Sequence, residues 1–488
     1  MSVSMPAIQL SLLFPEIIVA VAAMTLLLMS AWSSEHDDRS RIAILVVLAV
    51  FLAGTVALLD GVAATKAATT FSGLFVTDRL SSFLKVLMAL ATLLPLLLSW
   101  DYLKQHRLDE GEYFVLTLCA LLGGMIIASS GDFMVLYLGI ELMSLSVYVL
   151  AAYRRDDLAS NEAGLKYFIL GSMASGLMLY GMSLIYGTTG STLFSQVHQV
   201  LASGHGVGPL LHAGIILVLA GLSFKIAAAP FHMWAPDVYQ GAPTSVTAFM
   251  SVMPKIAGFA AFYRVLIDAF APLHHQWGPV LQLIAIVSMV VGSLAAIAQT
   301  DLKRMLAYSS IGHAGYALVG LAAGTPLGYQ SVLIYLAIYL FMNVGTFAVV
   351  LVLSRAGIGE KIDDYRGLAQ HKPLLAFLMA LFMFSMAGIP PLAGFIGKFQ
   401  IFMAAVQAGL IPLAIIGVLT SAVGAFYYLR IVKLIYFDPA TDERAVTVTP
   451  LSRLVLLVTT AVVLVWGILP GSLIGWAEYS VKMLSRHG

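Results

Sequence analysis

Apolar runs of membrane-spanning length dominate the chain, separated by short polar links. A transmembrane helix needs roughly 20 predominantly apolar residues. Runs of that kind fall at 8–32, 42–60, 80–100, 113–130, 133–152, 164–188, 210–230, 244–268, 279–298, 305–324, 328–354, 372–407 with a break, 410–436 and 452–476. A β-barrel would need short alternating segments instead. The pattern therefore predicts an all-α polytopic membrane protein of about 14 helices, with no soluble domain left over.

Polar positions inside this pattern are few and specific. Tyr167 to Phe224 and Met305 to Ser354 contain no Asp, Glu, Lys or Arg, and Pro373 to Leu429 contains only Lys398. Against that background Glu141 (helix 5), Lys225 (helix 7), Lys255 (helix 8) and Lys398 (helix 12) stand near mid-helix. A charge at the bilayer centre costs about 3 kcal/mol on insertion scales and is retained where it faces a partner, water or the bundle interior. Burial disfavours an ammonium and a nearby carboxylate restores it. A lysine that gains and loses such a partner can take up and release a proton. Structural pairing alone accounts poorly for three lysines with one obvious carboxylate. His313, flanked by Ser309, Ser310 and Tyr316, is a further relay candidate, because histidine titrates near neutrality. Glu16, Lys85 and Lys166 read as snorkelling toward helix ends, and Asp237 as a turn cap or inner entrance.

Prolines accompany these lysines. Pro230 follows Lys225, Pro254 abuts Lys255, and Pro390 and Pro391 precede Lys398. Proline removes a helical donor, and a broken helix at membrane depth is tolerated only where protein or a water-filled cavity re-satisfies its backbone. Broken helices 7 and 12 lie five helices apart, so the second unit must be inverted relative to the first. GFAAFYRVLI (Gly258 to Ile267) and GAFYYLRIVKLI (Gly424 to Ile435) echo each other. The expected division is 1–112 (helices 1–3), 113–268 (first five-helix repeat), 279–437 (second, inverted repeat) and 438–488 (helix 14).

With the first terminus outside, inner loops carry 14 Lys and Arg residues and outer ones 5, namely Lys66, Arg79, Arg264, Lys482 and Arg486. The positive-inside rule then puts both termini on the outer side of the membrane. Arg39 is the first basic residue, so the first run lacks the basic flank of a signal peptide and reads as an uncleaved helix. Composition agrees: 60% of the 488 residues are hydrophobic and 10% charged, where soluble domains carry about 25% charged residues. A net charge of +1 argues against nucleic acid. The single Cys119 excludes a cysteine-rich metal site or internal disulfide, and no metal-binding spacing, Walker loop or GxGxxG turn is present.

FKIAAAPFHMWAPDVYQGAPTSVTAF, MPKIAGF and GIPPLAGFIGKF resemble the antiporter-like subunits of proton-pumping NADH:quinone oxidoreductase, respiratory complex I. WAPDVYQGAPT, ASNEAGLKYFILGSMASGLMLYG and DLKRMLAYSSIGHAGY most resemble the N-type subunits (subunit 2 in mitochondria), over roughly Tyr113 to Phe437. The resemblance implies two inverted five-helix repeats, helices 4–8 and 9–13. It implies that Glu141 pairs with Lys225, that Lys255 lies on a central polar axis and that Lys398 serves the outlet half. A lysine at the Lys398 position separates the chain from M-type subunits, and its early stop from L-type ones. The implied function is proton translocation coupled to NADH oxidation and quinone reduction in other subunits. Implied partners are a neighbouring M-type subunit, small subunits such as K, and the lipid bilayer. No cofactor is expected in this chain; flavin, iron–sulfur clusters and quinone belong to partner subunits. Alternatives are a subunit of a multi-subunit Na⁺/H⁺ antiporter or of a membrane-bound hydrogenase, and a non-transporting scaffold.

Overall fold

The computed structural model describes residues 8–32, 38–106, 108, 110–204, 207–440 and 444–482. Arg107, Arg486 and the side chains of Arg39 and Arg41, used in the charge count above, lie outside them. The helices are α1 (Phe14–Trp32), α2 (Asp38–Ala63), α3 (Arg79–His106), α4 (Glu110–Ala128), α5 (Phe133–Ala151), α6 (Leu158–Thr189), α7 (Phe194–Ala202) and α8 (Pro209–Lys225). Then come α9 (Trp234–Gly241), α10 (Thr244–Met250), α11 (Met253–Tyr263), α12 (His274–Ile297), α13 (Leu302–Ala322) and α14 (Pro326–Arg355). The chain continues through α15 (Leu368–His371), α16 (Pro373–Ala387), α17 (Ala393–Gln407), α18 (Ile411–Phe437), α19 (Pro450–Ile468) and α20 (Gly471–Val481). A two-stranded antiparallel ribbon, β1 (Ala68–Thr70) and β2 (Phe75–Thr77), links α2 to α3.

Among the described residues, 11 helical runs are long and apolar enough to cross a membrane, and Pro209–Lys225 and Pro373–Ala387 are shorter apolar helices. The polytopic all-α expectation therefore holds. The run 244–268 is divided at Ser251–Val252 and ends in a π-helical turn, Arg264–Ala269. The run 452–476 is also two helices, because Pro470 interrupts it after Leu469. Helix α14 is buried at every position from Ser331 to Leu353, whereas α1, α2, α18 and α19 keep most of their apolar spans on the surface. Thus α14 and the neighbouring α10, α11 and α13 form the centre, and the apolar flanks of the outer helices face lipid.

Snorkelling does not describe Glu16 and Lys85. They form an ion pair of 2.7 Å with side chains 5% and 2% exposed, tying α1 to α3. Their positions lie 69 residues apart, so neither showed a partner in the local sequence. Arg264, read as an outer-loop cation, is also buried. It grips both carboxylate oxygens of Asp78 at 2.9 and 3.0 Å and reaches Asp268 at 3.0 Å. A buried guanidinium is tolerable when its donors are met this completely.

Candidate proton-relay site

The two predicted breaks are real, and each puts a lysine at a helix C-terminus. Helix α8 ends at Lys225 itself, and the chain turns through Ala227 (φ +58°) before α9 starts at Trp234. Helix α16 ends at Ala387, with Gly388 left-handed (φ +87°) as its cap. A helix C-terminus leaves carbonyls unpaired and carries the negative end of the macrodipole. The proline breaks therefore supply a cation site where water is scarce. Lys398, from α17, uses it directly: its Nζ donates to the carbonyls of Met386 (2.9 Å) and Ala387 (3.0 Å), and to Ser421 Oγ (2.8 Å).

Lys225 is held differently. Its Nζ donates to Ser144 Oγ (3.0 Å), Tyr148 Oη (3.2 Å) and Ser175 Oγ (3.2 Å). Ser175 in turn donates to Glu141 Oε1 at 2.5 Å. Glu141 and Lys225 thus share one site, but a hydroxyl stands between them and no direct ion pair joins them. Lys225 is 5% exposed. Glu141 is half-buried, on the α5 stripe that also exposes Leu138, Leu145 and Val149. Its carboxylate therefore borders the apolar flank of the bundle. Gly171 makes room for Tyr148, since a Cβ there would lie 2.0 Å from the phenol oxygen.

Lys255 points across the bundle centre. It donates to the backbone carbonyl of Ser310 at 2.7 Å and also contacts the Ser310 hydroxyl. Ser310 Oγ lies 2.8 Å from Tyr339 Oη and 3.3 Å from Tyr239 Oη. One turn further along α13, His313 meets Tyr335 Oη through Nδ1 (2.5 Å) and Tyr428 Oη through Nε2 (3.0 Å). Tyr428 contacts Ser309 as well. A cavity of about 10 Å³ lies between Lys255, His313, Tyr335 and Tyr339, close to the room one water needs. Tyr316 fills the remaining distance, with its ring 5.9 Å from that of His313 and 5.1 Å from Lys398 Nζ.

All five predicted residues therefore lie in polar clusters, but not in one continuous chain. Among the described residues no hydrogen bond joins the Lys225 cluster to that of Lys255. An aromatic wall, Tyr148–Tyr167–Trp234–Tyr239, runs between them, with Tyr167 and Trp234 stacked at 4.1 Å. Sequence reasoning missed the hydroxyls of Ser144, Tyr148, Ser175, Tyr239, Tyr339 and Ser421. Helical spacing from the charges could have found two of them: Ser144 lies three residues from Glu141, and Tyr148 a further four.

At the basic end of the bundle Asp237 is an ion-pair hub, not a cap, meeting Arg304 at 2.5 Å and Lys166 at 2.8 Å. Burial alone pushes its carboxyl up, but the bonds from Lys166 and Arg304 outweigh this and hold it below its ordinary value. Lys166, read as snorkelling, is also held by Glu162 at 2.7 Å.

Comparison with known proteins places this arrangement. The family described as NADH:quinone oxidoreductase/Mrp antiporter, TM, matches residues 130–424, a stretch that includes every relay candidate. The NADH-quinone oxidoreductase subunit N of Magnetococcus marinus is 58% identical over 484 residues, covering 99% of this chain and 100% of that one. The chain belongs to the subunit N family of NADH-quinone oxidoreductase. A chain of respiratory complex I from Thermus thermophilus superposes with a TM-score of 0.79 at 33% identity, covering 95% of this chain and 99% of that one. A chain of the Mrp complex from Dietzia shares the fold (TM-score 0.83, 98% of each chain) at 22% identity. At that identity the likeness concerns the fold alone, so the antiporter alternative fits less well than subunit N.

Proposed function

We propose that this chain carries protons across the membrane along Glu141, Lys225, Lys255, His313 and Lys398. As a member of the subunit N family it is an antiporter-like, proton-translocating part of a multi-subunit NADH–quinone enzyme. Electron transfer, with flavin, iron–sulfur clusters and quinone, is assigned to other subunits. In this reading an M-type subunit and a small K-type subunit flank the chain in a bacterial cytoplasmic membrane. The basic end faces inward and both termini face out.

The observation that carries the reading is the bridge Glu141–Ser175–Lys225. It couples a buried ammonium to a carboxylate on the outer flank, where a neighbouring subunit can reach it. With Glu141 turned inward, the proton on Lys225 is held. With Glu141 drawn toward a neighbour, Lys225 loses its counter-charge and releases the proton, which intervening water carries past the aromatic wall to the Tyr239–Ser310 hydroxyls and Lys255. From there it passes by His313 and its tyrosines to Lys398 and out. Moving one charge against the membrane costs about 2.3 kcal/mol per 100 mV, and a two-unit change in proton affinity supplies about 2.7 kcal/mol, so the switch is adequate in size.

The proposed division into repeats, 113–268 and 279–437, after helices 1–3 in 1–112 and with helix 14 in 438–488, has support in matched contacts. One constant shift along the chain carries Gly123 onto Gly292 and Asp132 onto Asp301. Gly123 packs on Met143 N and Gly139 O, and Gly292 on Gly312 N and Tyr308 O, which the same shift relates. Asp132 and Asp301 each cap their helix through a side-chain bond. Arg264 donates to Ala128 O (2.8 Å) and Arg430 to Ile297 O (3.2 Å); the two acceptors are again one shift apart, while the arginines stand three residues closer together.

The test compares Lys225→Met and Glu141→Gln in inverted membrane vesicles with the assembled complex verified. Both lose most NADH-driven proton uptake if the relay is correct. Full pumping in both would end it.

A further inference from the structure

The relay as described starts at buried lysines and leaves open where a proton is collected. Helix α10 and the start of α11 carry a polar stripe that none of the steps above uses. Thr244, Thr247 and Ser251 recur every three or four residues, which stacks them along one side of α10 and its cap, and Lys255 follows four residues on, across the break into α11. The three hydroxyl residues are at most 1% exposed. Two of them also hold contacts beyond their own helix. Thr247 Oγ1 donates to Tyr239 O at 3.1 Å, and Ser251 Oγ accepts from Asn343 Nδ2 at 2.6 Å. A hydroxyl both gives and accepts a proton, so such a file suits transfer.

At the basic end this stripe meets Glu360, in the link after α14. Thr244 Oγ1 donates to Glu360 Oε1 at 2.5 Å. Glu360 Oε2 lies 2.9 Å from Lys303 Nζ. The Glu360 side chain is 29% exposed while that of Lys303 is 3% exposed, so the carboxylate reaches outward from the buried file. Its other charged or titratable surroundings are Asp301 at the start of α13, Tyr365 in the following turn, and Tyr102 of α3 with Arg154 beyond it.

We propose that Glu360 is the proton-collecting carboxylate of this chain and feeds Lys255 along Thr244, Thr247 and Ser251. This rests on the relay reading above. A proton from bulk water binds a Glu360 carboxylate oxygen. It passes to the Thr244 hydroxyl, which releases its own proton down the file, and the last hand-over protonates Lys255 Nζ. Intervening water closes the spaces between successive hydroxyls, and each hydroxyl ends as it began. Lys303 positions the carboxylate and takes no proton.

The experiment measures NADH-driven turnover and proton uptake in vesicles holding the assembled complex, from pH 6 to pH 9. It uses Glu360→Gln, Lys303→Gln and Lys255→Met. The wild type is expected to give a nearly flat profile. In Glu360→Gln, uptake depends on free protons, so the rate falls roughly tenfold per pH unit on the alkaline side, and added formate, a small proton carrier, restores it. Lys303→Gln keeps the flat profile because the carboxylate remains. A flat, wild-type profile in Glu360→Gln overturns the proposal. So does an equal loss at every pH that formate does not relieve, or a Lys303→Gln variant that copies Glu360→Gln, since either outcome marks a structural ion pair. Lys255→Met separates the two levels: normal pumping in that variant removes the relay itself, whereas loss there beside a flat Glu360→Gln removes only the collecting role.

Discussion

Lys225 and Lys398 occupy comparable places, each beside a proline-broken helix, yet they are neutralised by different means. Lys398 rests on two fixed carbonyls at the end of α16 and one hydroxyl. Lys225 rests on three hydroxyls, and through one of them on Glu141. The constant shift relating the proposed repeats sharpens the contrast. It places Ser310 where the first unit has Glu141, and His313 where it has Ser144. The second unit therefore has a hydroxyl and an imidazole at positions where the first has a carboxylate and a hydroxyl. Backbone dipoles cannot leave, but a carboxylate on a flank can turn. The first unit is built to be switched from outside, and the second to hold and pass on what arrives.

The strongest way to break this comparison is to remove each ammonium. Lys225→Met and Lys398→Met should each lower NADH-driven proton uptake by at least about tenfold, the range of losing a positioned proton carrier, with the complex still assembled. Flash- or substrate-triggered pH recording in vesicles reads it. If Lys398→Met pumps normally, the second unit is not in series with the first.

Glu141→Gln comes next. The amide still bonds Ser175 but carries no charge, so the switch is lost while the packing stays. Uptake should fall about tenfold, whereas Ser310→Ala, at the related place in the second unit, should cost about threefold: it removes the hydroxyl that meets Lys255, Tyr339 and Tyr239, but the backbone carbonyl still holds Lys255 and a water in the vacated space can take over the hand-over. Equal losses would mean that the flank carboxylate has no special part. Ser175→Ala lies between these extremes. It cuts the bridge but leaves both charges, and a fivefold loss, about 1 kcal/mol, is expected in the same assay.

How much of this was legible beforehand followed from contrast. Glu141, Lys225, Lys255 and Lys398 were visible because each interrupts an apolar run, and the breaks near Pro230 and Pro390 because proline cannot complete a helix. Pro470 was passed over because the apolar pattern continues through it, and hydropathy does not register a missing donor. Ser175, Ser421 and Tyr339 were hidden for the opposite reason: the chain has 20 tyrosines and many hydroxyls, and nothing local separates one that meets a lysine from one bonding its own helix, as Thr420 does with Ile416 O. Glu16 and Lys85 were misread because their partnership depends on α1 packing on α2 and α4, which brings Glu16 within reach of Lys85 on α3 and which no periodicity encodes.

The smallest expected effect concerns Asp237, the other carboxylate near the first break. It is a third exposed and shared between Lys166 and Arg304, so it reads as a clamp between α6, α9 and α13. Exposed pairs are worth about 0–1 kcal/mol, and Asp237→Asn should lower the thermal midpoint of the purified complex by only a degree or two while pumping stays intact. The pH dependence follows from its carboxyl being held below the ordinary 3.8. Such a group contributes fully above that value and loses its contribution as pH falls through the lower folded one. The difference between wild type and variant should therefore be constant from neutral pH down to about 5, and narrow only in strong acid. A variant that loses pumping at neutral pH would place a second working carboxylate in the first unit. Collection would then be assigned to α9 and not to Glu360, and the contrast between a switched unit and a passive one would have to be redrawn around that helix.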